Sequence, residues 1–149
     1  MNIPTPPTSN KISQLKMVNG NSSVLVANAL EYERMMGLAY INGIYSQVLH
    51  NGHITIELLI KATYAKNNGG IHPYGHEIIK IAEMPLGPQI IPLTEIIKSD
   101  GLKEIFELIA SAWSMQYRYE GRSTSQDDAL MYLNAYKDAI KWIKSKYAQ

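Results

Sequence analysis

Cysteine is absent from the 149 residues. With it go disulfides, thiolate nucleophiles and every zinc site built on sulfur. Charge of either sign is not in excess: 14 Lys and Arg stand against 13 Asp and Glu, a formal +1. No global field therefore draws the chain to nucleic acid or to an anionic membrane. No apolar run approaches the ~18 residues of a membrane span. The opening MNIPTPPTSNKISQLKMVNGNSS lacks the apolar stretch of about 7–15 residues that a secretory signal needs. A cytoplasmic chain away from membranes is the expectation. Phosphate-loop glycines, a dinucleotide fingerprint and a nucleophile elbow are missing too. Phenylalanine occurs once against ten tyrosines, and arginine only at positions 34, 118 and 122.

What is present reads as helix. Hydrophobic residues make up 46% of the chain, enough to bury a single core without staples. Pro4, Pro6 and Pro7 stiffen the start, and residues 1–20 read as an extended or mobile arm ahead of a domain over 21–149. Asn21, Ser22 and Ser23 offer caps for a first helix, with apolar positions from Val24 to Val48 at mostly helical spacing. Gly37 and Gly43 fall inside that run and would let a neighbouring backbone come close. Asn51 and Gly52 in HNGH predict a turn. A second helix over about 54–66 has a narrow polar stripe of Glu57, Lys61 and Tyr64, so it belongs at the centre of the core or against another subunit. Glu57 lies four residues before Lys61, the favourable order for an ion pair.

A loop over 67–75 precedes a short third helix near His76–Met84, and three prolines keep PLGPQIIP out of helix. Asp100 is the expected N-cap of a fourth helix carrying Phe106, Ile109 and Trp113. A fifth, from about Gln126 to Tyr147, opens on Asp127 and Asp128 and closes on lysines, as the helix macrodipole favours. No strand alternation stands out. The expected fold is all-α: an up-and-down bundle of four long helices plus one short one.

The stretch RYEGRSTSQDD, residues 118–128, holds two of the three arginines. Arg118 and Arg122 are about one helical turn apart and suit a shared phosphate. Ser123, Thr124 and the open N–H groups of the next helix would complete an anion site. The plainer reading is capping, with Thr124 or Ser125 as cap and Ser125-x-x-Asp128 as a capping-box-like pattern. The four histidines, His50, His53, His72 and His76, do not compose a metal site: Pro73 and Gly75 interrupt the last pair, and the 50–53 turn falls at the opposite end of the bundle from the 67–76 loop. Neither metal nor cofactor is expected. Tyr117, Tyr119, Tyr132 and Tyr136 crowd the same corner, either to stack bases or, more plainly, to line half-wet helix seams.

Two blocks resemble the HEPN family (higher eukaryotes and prokaryotes nucleotide-binding domain). ITIELLIKATYAKNNGGIHPYGHEIIKIA, residues 54–82, is similar to its apolar helix with an acid-x-x-x-Lys pattern, a loop, and His before a short helix, here Glu57, Lys61 and His76. QYRYEGRSTSQDDALMYLNAYKDAIKWI, residues 116–143, looks like its Arg-Tyr turn and closing helix. The resemblance implies a helical bundle, often a homodimer, often accompanying a nucleotidyltransferase. Some members are ribonucleases of toxin–antitoxin or defence systems, marked by Arg and then His after four to six residues. No arginine here has that partner: the positions after Arg118 are Ser123, Thr124 and Ser125, and those after Arg122 are Asp127, Asp128 and Ala129.

The expected function follows: a non-catalytic HEPN-like module that dimerises, holds a nucleotide, phosphate or RNA at Arg118, Arg122, Ser123, Thr124 and His76, and has a nucleotidyltransferase as its candidate partner. The alternatives are a metal-independent ribonuclease with a rearranged Arg/His site and a ligand-free helical adaptor.

Overall fold

A computed structural model describes residues 15–88, 90–114 and 124–147 of the chain. In chain order the elements are β1 (Met17–Asn19), α1 (Ser22–Ile41), α2 (Tyr45–Asn67), β2 (Ile71–Pro73), α3 (Ile78–Ala82), β3 (Pro85–Leu86), β4 (Ile91–Pro92), α4 (Leu93–Ser99), α5 (Lys103–Ser114) and α6 (Gln126–Lys146). This is an all-α bundle of four long helices, trimmed by two short antiparallel ladders, β1 with β2 and β3 with β4. A second short helix, α4, stands beside α3 and was not expected. At seven residues it is too short for periodicity to show, yet Leu93 and Ile97 form one buried turn-to-turn pair.

The bundle is organised around α2, which packs on α1, α5 and α6. Val48, Leu49, Ile56, Leu59 and Ile60 are all buried on it. Each such side chain contributes about 1.5–3 kcal/mol relative to exposure. The predicted polar stripe is interior as well: Glu57, Lys61 and Tyr64 are buried. Burial pushes the Tyr64 hydroxyl well above its ordinary range, and it donates to Met84 O at 2.7 Å.

The turn expected at Asn51–Gly52 is not there. Helix α2 runs unbroken through HNGH, and the reversal comes earlier, at residues 42–44. Gly43, at φ 73°, occupies the left-handed region that closes this turn. Gly52 serves packing instead: a Cβ there would lie 2.3 Å from the Tyr136 ring of α6. The Tyr136 hydroxyl donates to Leu49 O at 3.2 Å, pinning the ring over the glycine. Close approach thus belongs to Gly52, while a Cβ on Gly37 or Gly43 would meet nothing within 4 Å among the described residues.

Capping follows local chemistry at two of the long helices. Asn21 accepts from Val24 N at 3.1 Å, and Ser125 accepts from Asp128 N at 3.1 Å. Asp100 does not cap α5. It ends α4, and its carboxylate reaches across to α6, accepting from Trp142 Nε1 at 2.8 Å and from Lys146 Nζ. On α6 the inward stripe is Ala129, Leu133, Tyr136, Ile140 and Ile143, with Leu130 turned outward.

Candidate functional site

Three ionisable residues stand four apart on α2: His53, Glu57 and Lys61. Spacing of four places them on one face. Because α2 is central, that face lies inside the protein, with the Glu57 and Lys61 side chains only 8% and 10% exposed. A buried carboxylate is tolerable only when paired and hydrogen-bonded. Glu57 Oε2 accepts from Lys61 Nζ at 2.8 Å. The same oxygen lies 3.2 Å from His76 Nδ1, on the loop between β2 and α3.

His76 is the outward end of this network. Its side chain is 62% exposed, although the carboxylate that orients it is buried. With the proton on Nδ1 donated to Glu57, Nε2 faces outward with no hydrogen-bond partner among the described residues. His53 fixes the loop from below: its Nε2–H donates to the His76 carbonyl at 2.8 Å, since a carbonyl only accepts. The His53 ring in turn stacks on Trp113 of α5, centroids 4.0 Å apart and planes 15° from parallel.

Trp113 divides two hollows. One, of about 170 Å³, is lined by Ser46, Gln47, His50 and His53 among others; the second, of about 350 Å³, by Leu15, Gly75, His76, Glu77, Lys80 and Ile81. The arrangement offers an exposed, carboxylate-oriented imidazole, an indole wall and a Lys80 ammonium that the Glu77 carboxylate of the same lining shares at 3.2 Å. Such a set suits a planar ligand with a polar end. Among the described residues no group of His, Asp and Glu has the geometry to hold a metal ion.

Of the residues the sequence pointed to, His76 sits in this network. Arg118, Arg122 and Ser123 lie outside the described residues. Thr124 is placed just before the α6 cap, its Oγ1 shielded from solvent and without a partner among the described residues. Tyr136 belongs to the core and Tyr132 is half-buried beside it, ring centroids 6.3 Å apart. Sequence reasoning missed His53 and Trp113, and it set the 50–53 and 67–76 stretches at opposite ends. They meet because HNGH lies inside α2, one turn before Glu57. Extending the Glu57–Lys61 stripe one step back would have found His53. For Trp113, read as an ordinary core residue, no sequence signal was available.

Fold and site together define an α-helical bundle with a buried acid–Lys pair holding a loop histidine. The HEPN domain family model matches residues 22–146, and the chain belongs to that family. No curated protein and no solved structure matches it significantly. Among the described residues no helix is long and apolar enough to cross a membrane.

Proposed function

We propose that this HEPN module binds a nucleotide or phosphate without turning it over, at the His76 edge of the bundle. The observation that carries the reading is the Glu57–His76 pairing, which keeps an exposed imidazole in one orientation beside Trp113. Arg118 and Arg122 follow Trp113 in the chain by five and nine residues. They supply the guanidinium groups that grip phosphate, with Ser123 and Thr124 as hydroxyl donors. Calorimetric titration with a nucleotide panel tests this. Arg118→Ala, Arg122→Ala and His76→Ala should each bind about tenfold more weakly or worse, equivalent to about 1.4 kcal/mol. Wild-type affinity in all three removes the site.

The module also pairs with a second copy, through the outer face of α1. Val24, Met35, Leu38 and Ile41 are exposed there, Ile41 by 78%, while Ala29, Met36 and Ala39 on the inner face are buried. An apolar stripe of this extent on a bundle helix is typical of an interface. Leu38→Lys should shift the sedimentation mass from dimer to monomer; a wild-type mass unchanged from the monomer rejects the pairing. We propose a nucleotidyltransferase, in a toxin–antitoxin or defence setting, as the alternative occupant of this surface.

A second reading is favoured by one feature of the same geometry. A carboxylate bonded to Nδ1 of an imidazole whose Nε2 is exposed is the orienter–base arrangement of acid–base catalysts. In this reading His76 moves the proton of an RNA 2′-hydroxyl while an arginine steadies the phosphorane. Incubation with total RNA in EDTA decides: cleavage lost in His76→Ala supports it, and intact RNA at high protein concentration rejects it.

A further inference from the structure

Strand β1 precedes the residues that match the family, 22–146. It is nonetheless stitched to the strand that leads into His76. Met17 pairs with Pro73, Val18 with His72 and Asn19 with Ile71. Tyr74 N donates to Lys16 O at 2.7 Å and Gly20 N to Gly70 O at 2.9 Å, lengthening the ladder at both ends. The approach is close: a Cβ on Gly20 would lie 2.4 Å from the His72 ring. That ring is buried, with Nδ1 3.0 Å from Pro73 O. The ladder sets Leu15, two residues before Met17, against the core and in the wall of the 350 Å³ cavity that also holds His76, Lys80 and Trp113.

We infer that Leu15, held in place by the β1–β2 ladder, forms an added outer wall of the His76 cavity and restricts it to a single nucleotide as a specificity-determining residue. This rests on the nucleotide reading of the site. The volume is at the small end of ligand cavities, roughly 300–1,000 Å³. A volume of that order suits one base and its sugar, and in this inference Leu15 bars the way of a following nucleotide of a strand. An aliphatic wall and an indole suit the faces and edge of a base, and the exposed His76 imidazole suits its phosphate, while the Lys80 ammonium is shared with Glu77 at 3.2 Å.

The test uses the full chain with Trp142→Phe, which leaves Trp113 as the reporter, because tryptophan occurs twice. Leu15→Ala removes the wall directly. Gly20→Ala acts at a distance, by forcing the strand off His72, and its helical content is checked by circular dichroism. Acrylamide quenching of Trp113 and binding of AMP and of a five-nucleotide oligoadenylate are measured. Both variants should raise the quenching constant about twofold and weaken AMP about five- to tenfold, as loss of part of an apolar contact does. The oligonucleotide should bind them at least as tightly as it binds the parent. Parental quenching and parental AMP affinity in Leu15→Ala overturn the inference. If quenching rises while AMP binds none of the proteins, the nucleotide reading fails and the wall stands. If AMP binding is lost in His76→Ala but untouched in Leu15→Ala, the site stands and the wall fails.

Discussion

Two ion pairs in this molecule share residue types and spacing, in opposite order, and differ in their surroundings. Glu57–Lys61 and Lys103–Glu107 are both Lys–Glu pairs at a spacing of four on a helix. The first closes at 2.8 Å inside the protein; the second lies at 3.4 Å with side chains 61% and 57% exposed. In water such a pair is worth little, because solvent screens it and two long side chains lose freedom to form it. In the interior each partner becomes indispensable to the other, since a lone buried charge is costly. The buried carboxylate also acquires a second duty. Its oxygens reach His76 and hold an imidazole at the surface, which the exposed pair has no means of doing. A polar stripe therefore acquires function through where its helix sits.

Breaking the buried pair should have the largest effect. Glu57→Ala strands the Lys61 ammonium and should lower unfolding stability by about 3–5 kcal/mol in urea titration. The double substitution Glu57→Leu with Lys61→Met should recover most of that loss while leaving His76 unheld. A stable double variant that still binds nucleotide would separate the pair from the site. Next comes the packing that keeps α2 continuous. Gly52→Ala gains helix propensity but drives a methyl into the Tyr136 ring, which its bond to Leu49 holds in place. Overpacking should win, at about 1–3 kcal/mol lost. The exposed pair sets the small end of the scale: Glu107→Ala should cost at most about 0.5 kcal/mol, and less in high salt.

The α4–α6 clamp should add a pH dependence. The Lys146 hydrogen bond, helped by that of Trp142, holds the Asp100 carboxyl below its ordinary range; the same bond to Asp100 holds Lys146 above its own. Folding therefore favours the Asp100 anion. Its contribution is complete above the ordinary carboxylate range and is lost as pH falls through the lowered folded value. For Lys146 the contribution is complete below the ordinary ammonium value and is lost as pH rises through the raised one. Urea midpoints of wild type and Asp100→Asn should differ most near neutrality and converge at both extremes. A gap independent of pH would assign the clamp to packing of Trp142 alone.

Much of this was legible in the chain before folding. Asn21 and Ser125 as caps, the helical stripes of α5 and α6, and the Glu57-before-Lys61 order all depend on neighbours within a turn. HNGH misled for an equally physical reason. Asn-Gly is a turn signal among isolated segments, but the Tyr136 ring, 84 positions away, needs a residue without a side chain at Gly52. Asp100 misled likewise: cap chemistry suits α5, yet the longer reach to Trp142 and Lys146 claims its carboxylate. Tertiary contact outranked local propensity at both positions.

By itself the sequence determined that this protein is a helical bundle, where its first and last helices begin, and that an acid and a lysine share one face of the second. Those properties arise from spacing and hydrogen bonding a few residues apart. Only the tertiary structure decided that the face is interior, that His53 and His76 meet across 23 positions, and that Leu15, ahead of the residues that match the family, joins the lining of the cavity beside them. Such contacts join segments whose separation along the chain carries no local signal, and they are chosen by which arrangement buries the most apolar surface while leaving the fewest charges unpaired.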